Sequence, residues 1–156
     1  MKKFKSSYIV FLVIILLAAC EEHGEPQGKI ELNDQQKASV SMRGKWGQAS
    51  DASLPFGTTP GVLDDLIIDF RTDDDYNPSE FSAVGAPYFF QGEEGTWAWA
   101  DETLTLISLE NILPVTNIKV MDAGNAIRLS FTYDGPSGGR TSKIGDYGIT
   151  LRKIAP

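Results

Sequence analysis

Alternating apolar and polar side chains predict that most of the chain after Met42 is β-strand. The clearest case is the run from Ala126 to Asp134, where Ile127, Leu129 and Phe131 share one face and polar residues occupy the other. The predicted strands cover 43–48, 65–71, 80–84, a hairpin over 95–106, 115–121, 126–134 and 146–154. No long window after Met42 repeats apolar residues at helical spacing.

The hairpin over 95–106 is the most apolar of these elements. Trp97 and Trp99 lie on one face of its first strand, and each indole can bury roughly 150–250 Å². Leu104 and Leu106 are expected to meet them across an acidic turn at Asp101. The rest of the chain must therefore cover this face.

About eight antiparallel strands, each apolar on one side, must either close on themselves or stack on a second sheet. The connections are too short for the helices of parallel crossovers, which favours sequential pairing. The predicted fold is all-β, a small antiparallel up-and-down β-barrel of about eight strands. The alternative is an immunoglobulin-like β-sandwich, which lacks its usual cysteine pair and tyrosine corner here.

The first 19 residues have the features of a secretory signal. Lysines at positions 2, 3 and 5 precede the apolar run Tyr8–Leu17, and Ala18 and Ala19 follow. Ten apolar residues are too few to cross a hydrocarbon core, which takes about 20. We expect residues 1–19 to be removed on export.

Cys20 is the only cysteine of the chain, so it cannot form an internal disulfide. Leu17-Ala18-Ala19-Cys20 resembles the lipobox of bacterial lipoproteins. The resemblance implies acylation of Cys20 and anchoring to a lipid bilayer, because more than one acyl chain anchors stably. Glu21 and Glu22 resemble an export signal to the cell surface, which implies an outer-membrane lipoprotein exposed at the surface, or alternatively one facing the periplasm.

Residues 20–41 are polar and are expected to form a flexible tether carrying the acylated Cys20. One helical turn is predicted near Asp34–Val40, with Asn33 or Asp34 as its cap. The folded domain is then expected over 42–156.

Four short motifs of this domain resemble the lipocalin-like lipoprotein domains of bacterial envelopes. They are Gly44-Lys45-Trp46, Gly95-Thr96-Trp97, Leu104-Thr105-Leu106 and the closing strand Tyr147–Leu151. The resemblance implies an up-and-down barrel whose closed end is plugged by the first-strand tryptophan, here Trp46. It implies no particular activity.

Charge and residue types exclude several functions. Residues 1–19 hold three of the 14 Lys and Arg and none of the 21 Asp and Glu, so the remainder carries a net charge of −10, which disfavours nucleic acid. The only histidine, His23, lies in the tether, so no histidine-based catalytic triad is expected. The carboxylate pairs lie in polar turns, and we expect neither an enzyme nor a cofactor.

A calcium loop at Asp73, Asp75 and Asn77 is a weaker alternative to a solvated turn, because it lacks the EF-hand pattern, and no metal site is predicted.

The apolar inner face is the best candidate for a binding site. Its predicted ligand-binding residues are Trp97, Trp99, Phe131, Tyr133, Tyr88 and Phe90. An eight-stranded barrel is just wide enough for side chains to fill, so a packed core is the alternative. Two functions follow: a module that binds a small hydrophobic or amphiphilic ligand or glycan at its open end, or a non-catalytic interaction subunit of an envelope complex with a filled barrel and a protein partner.

Overall fold

Eight antiparallel strands close into a barrel in which each strand pairs with its sequence neighbours and the last returns to the first. The computed structural model describes residues 31–90, 94–110, 115–122, 125–136 and 138–155. The predicted up-and-down barrel is confirmed, and the sandwich alternative is wrong. The strands are β1 (Gly44–Ser53), β2 (Ile67–Thr72), β3 (Pro78–Val84), β4 (Glu94–Trp99), β5 (Leu106–Leu109), β6 (Val115–Asp122), β7 (Ala126–Tyr133) and β8 (Gly145–Lys153).

A helix, α1 (Asp34–Met42), precedes β1 and confirms the predicted helical turn. Asn33 caps it through a capping box, in which Asn33 accepts from the Gln36 amide and the Gln36 side chain accepts from the Asn33 amide. Ser39 and Met42 are buried, so α1 is part of the folded domain. The compact unit runs from Leu32 to Pro156, and it begins ten residues before the boundary expected at Met42.

The inward faces follow the predicted alternation. In β7 every second residue, from Ile127 to Tyr133, is buried, and in β8 Tyr147, Ile149 and Leu151 are buried. These side chains belong to one continuous core that includes residues of all eight strands. The core lies wholly within the unit that starts at Leu32, so this unit has what it needs to fold by itself.

The barrel has two different ends. One end, which we call the narrow end, carries α1 and the connections 73–77, 100–105 and 123–125. The opposite end, which we call the wide end, carries the connections 54–66, 85–93, 110–114 and 134–144, three of which are nine residues or longer. The folded unit starts and finishes at the narrow end, because β1 begins there and β8 ends there.

The hairpin at the centre of the sequence folds with a different register from the predicted one. Strand β5 starts only at Leu106, and its buried residue is Ile107. Ile107 pairs with Trp99 and Leu109 with Trp97, whereas Leu104 lies in the turn with a φ of +55°. The prediction that Leu104 and Leu106 face the indoles is therefore wrong.

The turn before β5 explains this shift. The carboxylate of Asp101 accepts hydrogen bonds from the amides of Thr105 and Leu106 at 3.0 and 2.7 Å, and from the hydroxyls of Thr103 and Thr105. These bonds keep the chain in the turn as far as Thr105. A strand that starts one residue later presents the opposite set of side chains to the core.

Candidate functional site

The wide half of the barrel is filled by an aromatic cluster centred on Phe89. Phe89 comes from the connection 85–93, and its ring centroid lies 5.6 Å from Phe131, 5.1 Å from Tyr133 and 4.7 Å from Tyr147. Phe90 packs on Phe131 as well, at 5.9 Å. The rings meet mostly edge to face, the arrangement that aromatic pairs favour.

Side chains from two loops cover this cluster. Leu63 comes from the connection 54–66 and Phe89 and Phe90 from 85–93, and each exposes 3% of its surface or less. A cavity that admitted water would expose the side chains that line it, yet Phe131 and Tyr133 are also almost completely buried. The end expected to be open is thus packed along these residues.

The two predicted tryptophans lie in the other half of the barrel. Trp97 is buried beside Phe70 at 5.2 Å and donates to the carbonyl of Arg71 at 2.7 Å. Trp99 is half-buried and donates to the hydroxyl of Ser39 on α1 at 3.0 Å. The six predicted ligand-binding residues therefore form two groups rather than one site, with Phe90, Phe131 and Tyr133 in the wide half and Tyr88 exposed at its edge.

Trp46 is completely buried towards the narrow end. Its indole nitrogen donates to the carbonyl of Met42 at 2.7 Å, and the ammonium of Lys153 lies 5.0 Å from its ring centroid. A cation over an indole face is attracted to it. Trp46 thus joins β1, the end of α1 and the end of β8.

Trp99 also lines a groove of about 500 Å³ between α1 and the turn before β5, together with Asp34, Asp101 and Glu102. Two of these carboxylates already have partners. Asp34 pairs with Lys37 at 3.1 Å, and Asp101 accepts the bonds of its own turn. Asp34 and Asp101 therefore stabilise α1 and the turn before β5.

Asp101 and Asp73 lie in turns, where their carboxylates accept hydrogen bonds from neighbouring residues. Hydrogen bonds to Asp101, first that of the Thr103 hydroxyl and then those of Leu106 and Thr105, hold the pKa of its carboxyl well below the usual range. Asp73 accepts from the backbone and side-chain amides of Asn77 at 2.8 and 3.3 Å, which closes the β2–β3 turn. Within the described residues, no group of three or more His, Cys, Asp or Glu is arranged to hold a metal ion.

The exposed apolar side chains concentrate at the wide end. The described residues include six large apolar side chains that are exposed, and only Met121 lies towards the narrow end. The other five are Phe56, Ile67, Val84, Tyr88 and Ile144, which together we call the rim. Phe56 is fully exposed and so forgoes about 1.5–3 kcal/mol that burial of its side chain would contribute.

Hydrogen bonds tie together the two loops around Phe56. The amide and hydroxyl of Thr59 both donate to the carbonyl of Arg140, at 2.7 and 2.8 Å, which ties loop 54–66 to loop 134–144. The hydroxyl of Tyr147 accepts from the Lys143 amide at 2.8 Å, donates to the Lys143 carbonyl at 2.6 Å and lies 3.3 Å from the Thr58 hydroxyl. These bonds set the two loops side by side.

The chain matches no family profile, and no curated protein or solved structure is significantly similar to it. The site therefore has to be interpreted from its own residues. Cys20, the predicted signal over 1–19 and most of the predicted tether lie outside the described residues. In the part of the chain that is described, no helix has the length and apolar character needed to cross a bilayer.

Three important residues were missed by the sequence interpretation. Phe89 lies between the predicted ligand-binding residues Tyr88 and Phe90, but its own central place in the cluster was not predicted. Leu63 lay in a loop with no assigned role, and Phe56 stood unremarked between Pro55 and Gly57. A large aromatic residue between two turn formers is a signal for an exposed loop tip that could have found Phe56.

Proposed function

We propose that this chain is a non-catalytic interaction module of the bacterial envelope, anchored to the outer membrane through an acylated Cys20 and docking a partner protein through the rim. The observation that carries this proposal is the exposure of five large apolar side chains at one end of a barrel. Exposed apolar side chains gathered on one part of a surface are typical of protein interaction sites.

The packing around Phe89 supports this function over the other expected one, a ligand inside the barrel. Side chains that would line a ligand cavity, such as Phe131 and Tyr133, pack against Phe89 instead. A typical pocket of this kind needs about 300–1,000 Å³. A partner bound to the rim needs no such space.

The direction of the chain also supports the proposal. The folded unit begins at Leu32, and its first strand starts at the narrow end. Helix α1 also lies at that end, where the side chain of Gln36 donates to the carbonyl of Asp75 at 2.8 Å. The start of the folded unit therefore does not cover the rim.

Site-specific photocrosslinking in intact cells tests the proposal. A photoreactive residue replaces Phe56 or Ile144 in the full-length protein. Met121 serves as the control because it is also apolar and is as exposed as Ile144, at 66% against 60%, but lies towards the narrow end. We expect positions 56 and 144 to yield the same envelope protein, identified by mass spectrometry, and position 121 not to yield it. Equal products from all three positions, or none from 56 and 144, would refute the docking role.

The anchor is tested on the same cells. The mature chain is expected to begin at Cys20 and to carry the added mass of its acyl chains, and a Cys20→Ala variant is expected to leave the membrane fraction. A mature chain with an unmodified thiol at Cys20 would contradict the anchoring but not the docking role.

A further inference from the structure

Helix α1 follows the predicted tether and contributes little apolar surface to the core of the barrel. Its only large apolar side chains are Val40 and Met42. Met42, its last residue, is buried in the core, whereas Val40 is half-buried and does not belong to the core cluster of the described residues. Residues 34–41, which we call the latch, therefore place no large apolar side chain in the core.

Among the described residues, three hydrogen bonds join the latch to the barrel. They run from Gln36 Nε2 to the Asp75 carbonyl at 2.8 Å, from the indole of Trp99 to the Ser39 hydroxyl at 3.0 Å, and from the ammonium of Lys153 to the Ser41 carbonyl at 3.3 Å. The first and the third are exposed, and such bonds stabilise only modestly because they replace bonds to water. Ser39 is the one buried residue of the latch, so its bond to Trp99 is the main contact.

The latch joins the barrel at the end of α1. The indole of Trp46 donates to the Met42 carbonyl at 2.7 Å, and both side chains are buried, so this end of the helix is fixed. Arg43 then leaves the helix with an extended backbone, and Gly44 has a φ of +116°, which glycine adopts without strain. The latch can therefore leave the barrel while Met42 and Trp46 stay in place.

The barrel does not need the latch in order to close. Strand β1 starts at Gly44 and pairs with both β2 and β8, so the closed sheet lies wholly after α1. A nine-residue helix is marginal by itself in water, even with the capping box at Asn33. A latch that leaves the barrel is therefore expected to unravel as well, which makes its undocking and its unfolding one event.

We infer that the latch opens as one unit while the barrel stays folded, and that this opening lengthens the link between the barrel and the predicted anchor at Cys20. Segments with few buried apolar contacts open at a lower free energy than the whole domain. The residues of the latch span about 12 Å as a helix and about 28 Å when they are extended. The opening is independent of the proposed docking role, and only its use as an extension of the tether rests on the predicted anchor.

Hydrogen exchange followed by NMR in the unit over 32–156 tests the opening. We expect the amides of residues 38–41 and the indole of Trp99 to share one opening constant that depends little on urea, because the opening exposes little surface. The indole of Trp97 is the matched control, since it donates to the Arg71 carbonyl within the barrel. We expect this indole and the Leu129 amide to have an opening constant at least about tenfold smaller, with the urea dependence of global unfolding.

Two serines of α1 provide matched variants. Each hydroxyl donates to a carbonyl of its own helix, and of the two only that of Ser39 also accepts from Trp99. Ser39→Ala should therefore raise the opening constant of the α1 amides about two- to tenfold, the effect of one lost hydrogen bond. Ser41→Ala should leave that constant unchanged or lower it, because alanine favours the helix.

A third variant changes the barrel and not the latch. Ile149 is completely buried on β8, and Ile149→Val should raise the opening constant of the Leu129 amide about two- to tenfold. The opening constant of the α1 amides should stay the same, because the barrel remains folded when the latch is open.

Single-molecule pulling measures the lengthening. The sequence over 32–156 contains no cysteine, so cysteines introduced at positions 32 and 155 attach the handles. We expect a reversible first step of about 15–30 Å at low force, followed at higher force by the unfolding of the barrel.

Several results would overturn the inference. These are a single step for the whole unit, equal opening constants of the Trp99 and Trp97 indoles, exchange of residues 38–41 with the urea dependence of global unfolding, or equal effects of Ser39→Ala and Ser41→Ala. A latch that opens in a protein whose Cys20 thiol is unmodified would leave the opening standing and reject only the extension of the tether.

Discussion

Replacing Phe89 by alanine removes the side chain that fills the wide half of the barrel. The ring is completely buried and touches Phe131, Tyr133 and Tyr147. Truncating a buried Phe to Ala typically costs about 3–5 kcal/mol, through lost burial and the cavity that remains. The three ring contacts place Phe89→Ala towards the upper part of that range, because each such pair adds about 0.5–1.5 kcal/mol that the small side chain cannot supply.

The assay is thermal and urea unfolding of the unit over 32–156, with Tyr88→Ala as the control. Tyr88 is the preceding residue, but its side chain is largely exposed at the rim. For a domain of this size, the Phe89→Ala change should lower the Tm by about 10–20 °C. Tyr88→Ala should change the free energy of unfolding by less than about 1 kcal/mol.

A second measurement separates a filled barrel from a loop that merely loses order. A closed apolar cavity at position 89 should bind benzene, as apolar cavities in protein cores do. Benzene at ten times its Kd should then restore about 1.4 kcal/mol to Phe89→Ala and nothing to the wild type. Equal stabilities of Phe89→Ala and Tyr88→Ala would refute the conclusion that Phe89 fills the interior.

Two further predictions concern the turns. Gly85 and Gly139 both have a positive φ, but a Cβ on Gly85 would lie 1.8 Å from the Asp65 carbonyl oxygen and one on Gly139 would meet nothing within 4 Å. Urea unfolding should therefore show that Gly139→Ala lowers the free energy of unfolding by about 1–2 kcal/mol and that Gly85→Ala lowers it by at least about 2 kcal/mol more. Equal losses in the two variants would contradict the close approach of Gly85 to the Asp65 carbonyl. Hydrogen bonds, first that from Thr103, lower the pKa of the Asp101 carboxyl in the folded state. The ionised carboxylate therefore contributes its full stabilisation above the unfolded pKa of about 3.9. This stabilisation is lost as the pH falls from there towards the pKa of the folded state. The stability difference between wild type and Asp101→Asn should thus be constant from about pH 5 to 8 and shrink below about pH 4, and a difference that grows on acidification would reject this account.

The strands could be predicted from the sequence because their inward and outward positions alternate cleanly. In β7 the residues from Ile127 to Tyr133 are apolar at every second position, and the structure buries each of these. A sheet with one apolar face and short sequential connections has few ways to hide that face, and closure is one of them. The eight-stranded barrel follows from local patterns of this kind.

The register of β5 could not be predicted in this way, because the sequence allows two alternations. Leu104 and Leu106 form one apolar set, and Ile107 and Leu109 form the other. The choice depends on the hydrogen bonds of Asp101, which extend the turn to Thr105. Such a turn depends on side-chain geometry, and a one-residue extension reverses the face of the strand that follows.

The candidate site was harder to predict than the fold, because inward apolar side chains look alike whether they line a cavity or a packed core. Phe131 and Tyr133 satisfy both interpretations in the sequence. The two loops decide between them, since Phe89 enters the interior from one loop and Phe56 points away from it in the other. In this barrel the strands build the core, both loops complete it through Leu63 and Phe89, and loop 54–66 also presents the exposed Phe56. The proposed docking role thus makes stability and recognition depend on different aromatic residues. A change at Phe56 should alter binding while leaving the unfolding free energy nearly unchanged, and a change at Phe89 should lower that free energy first.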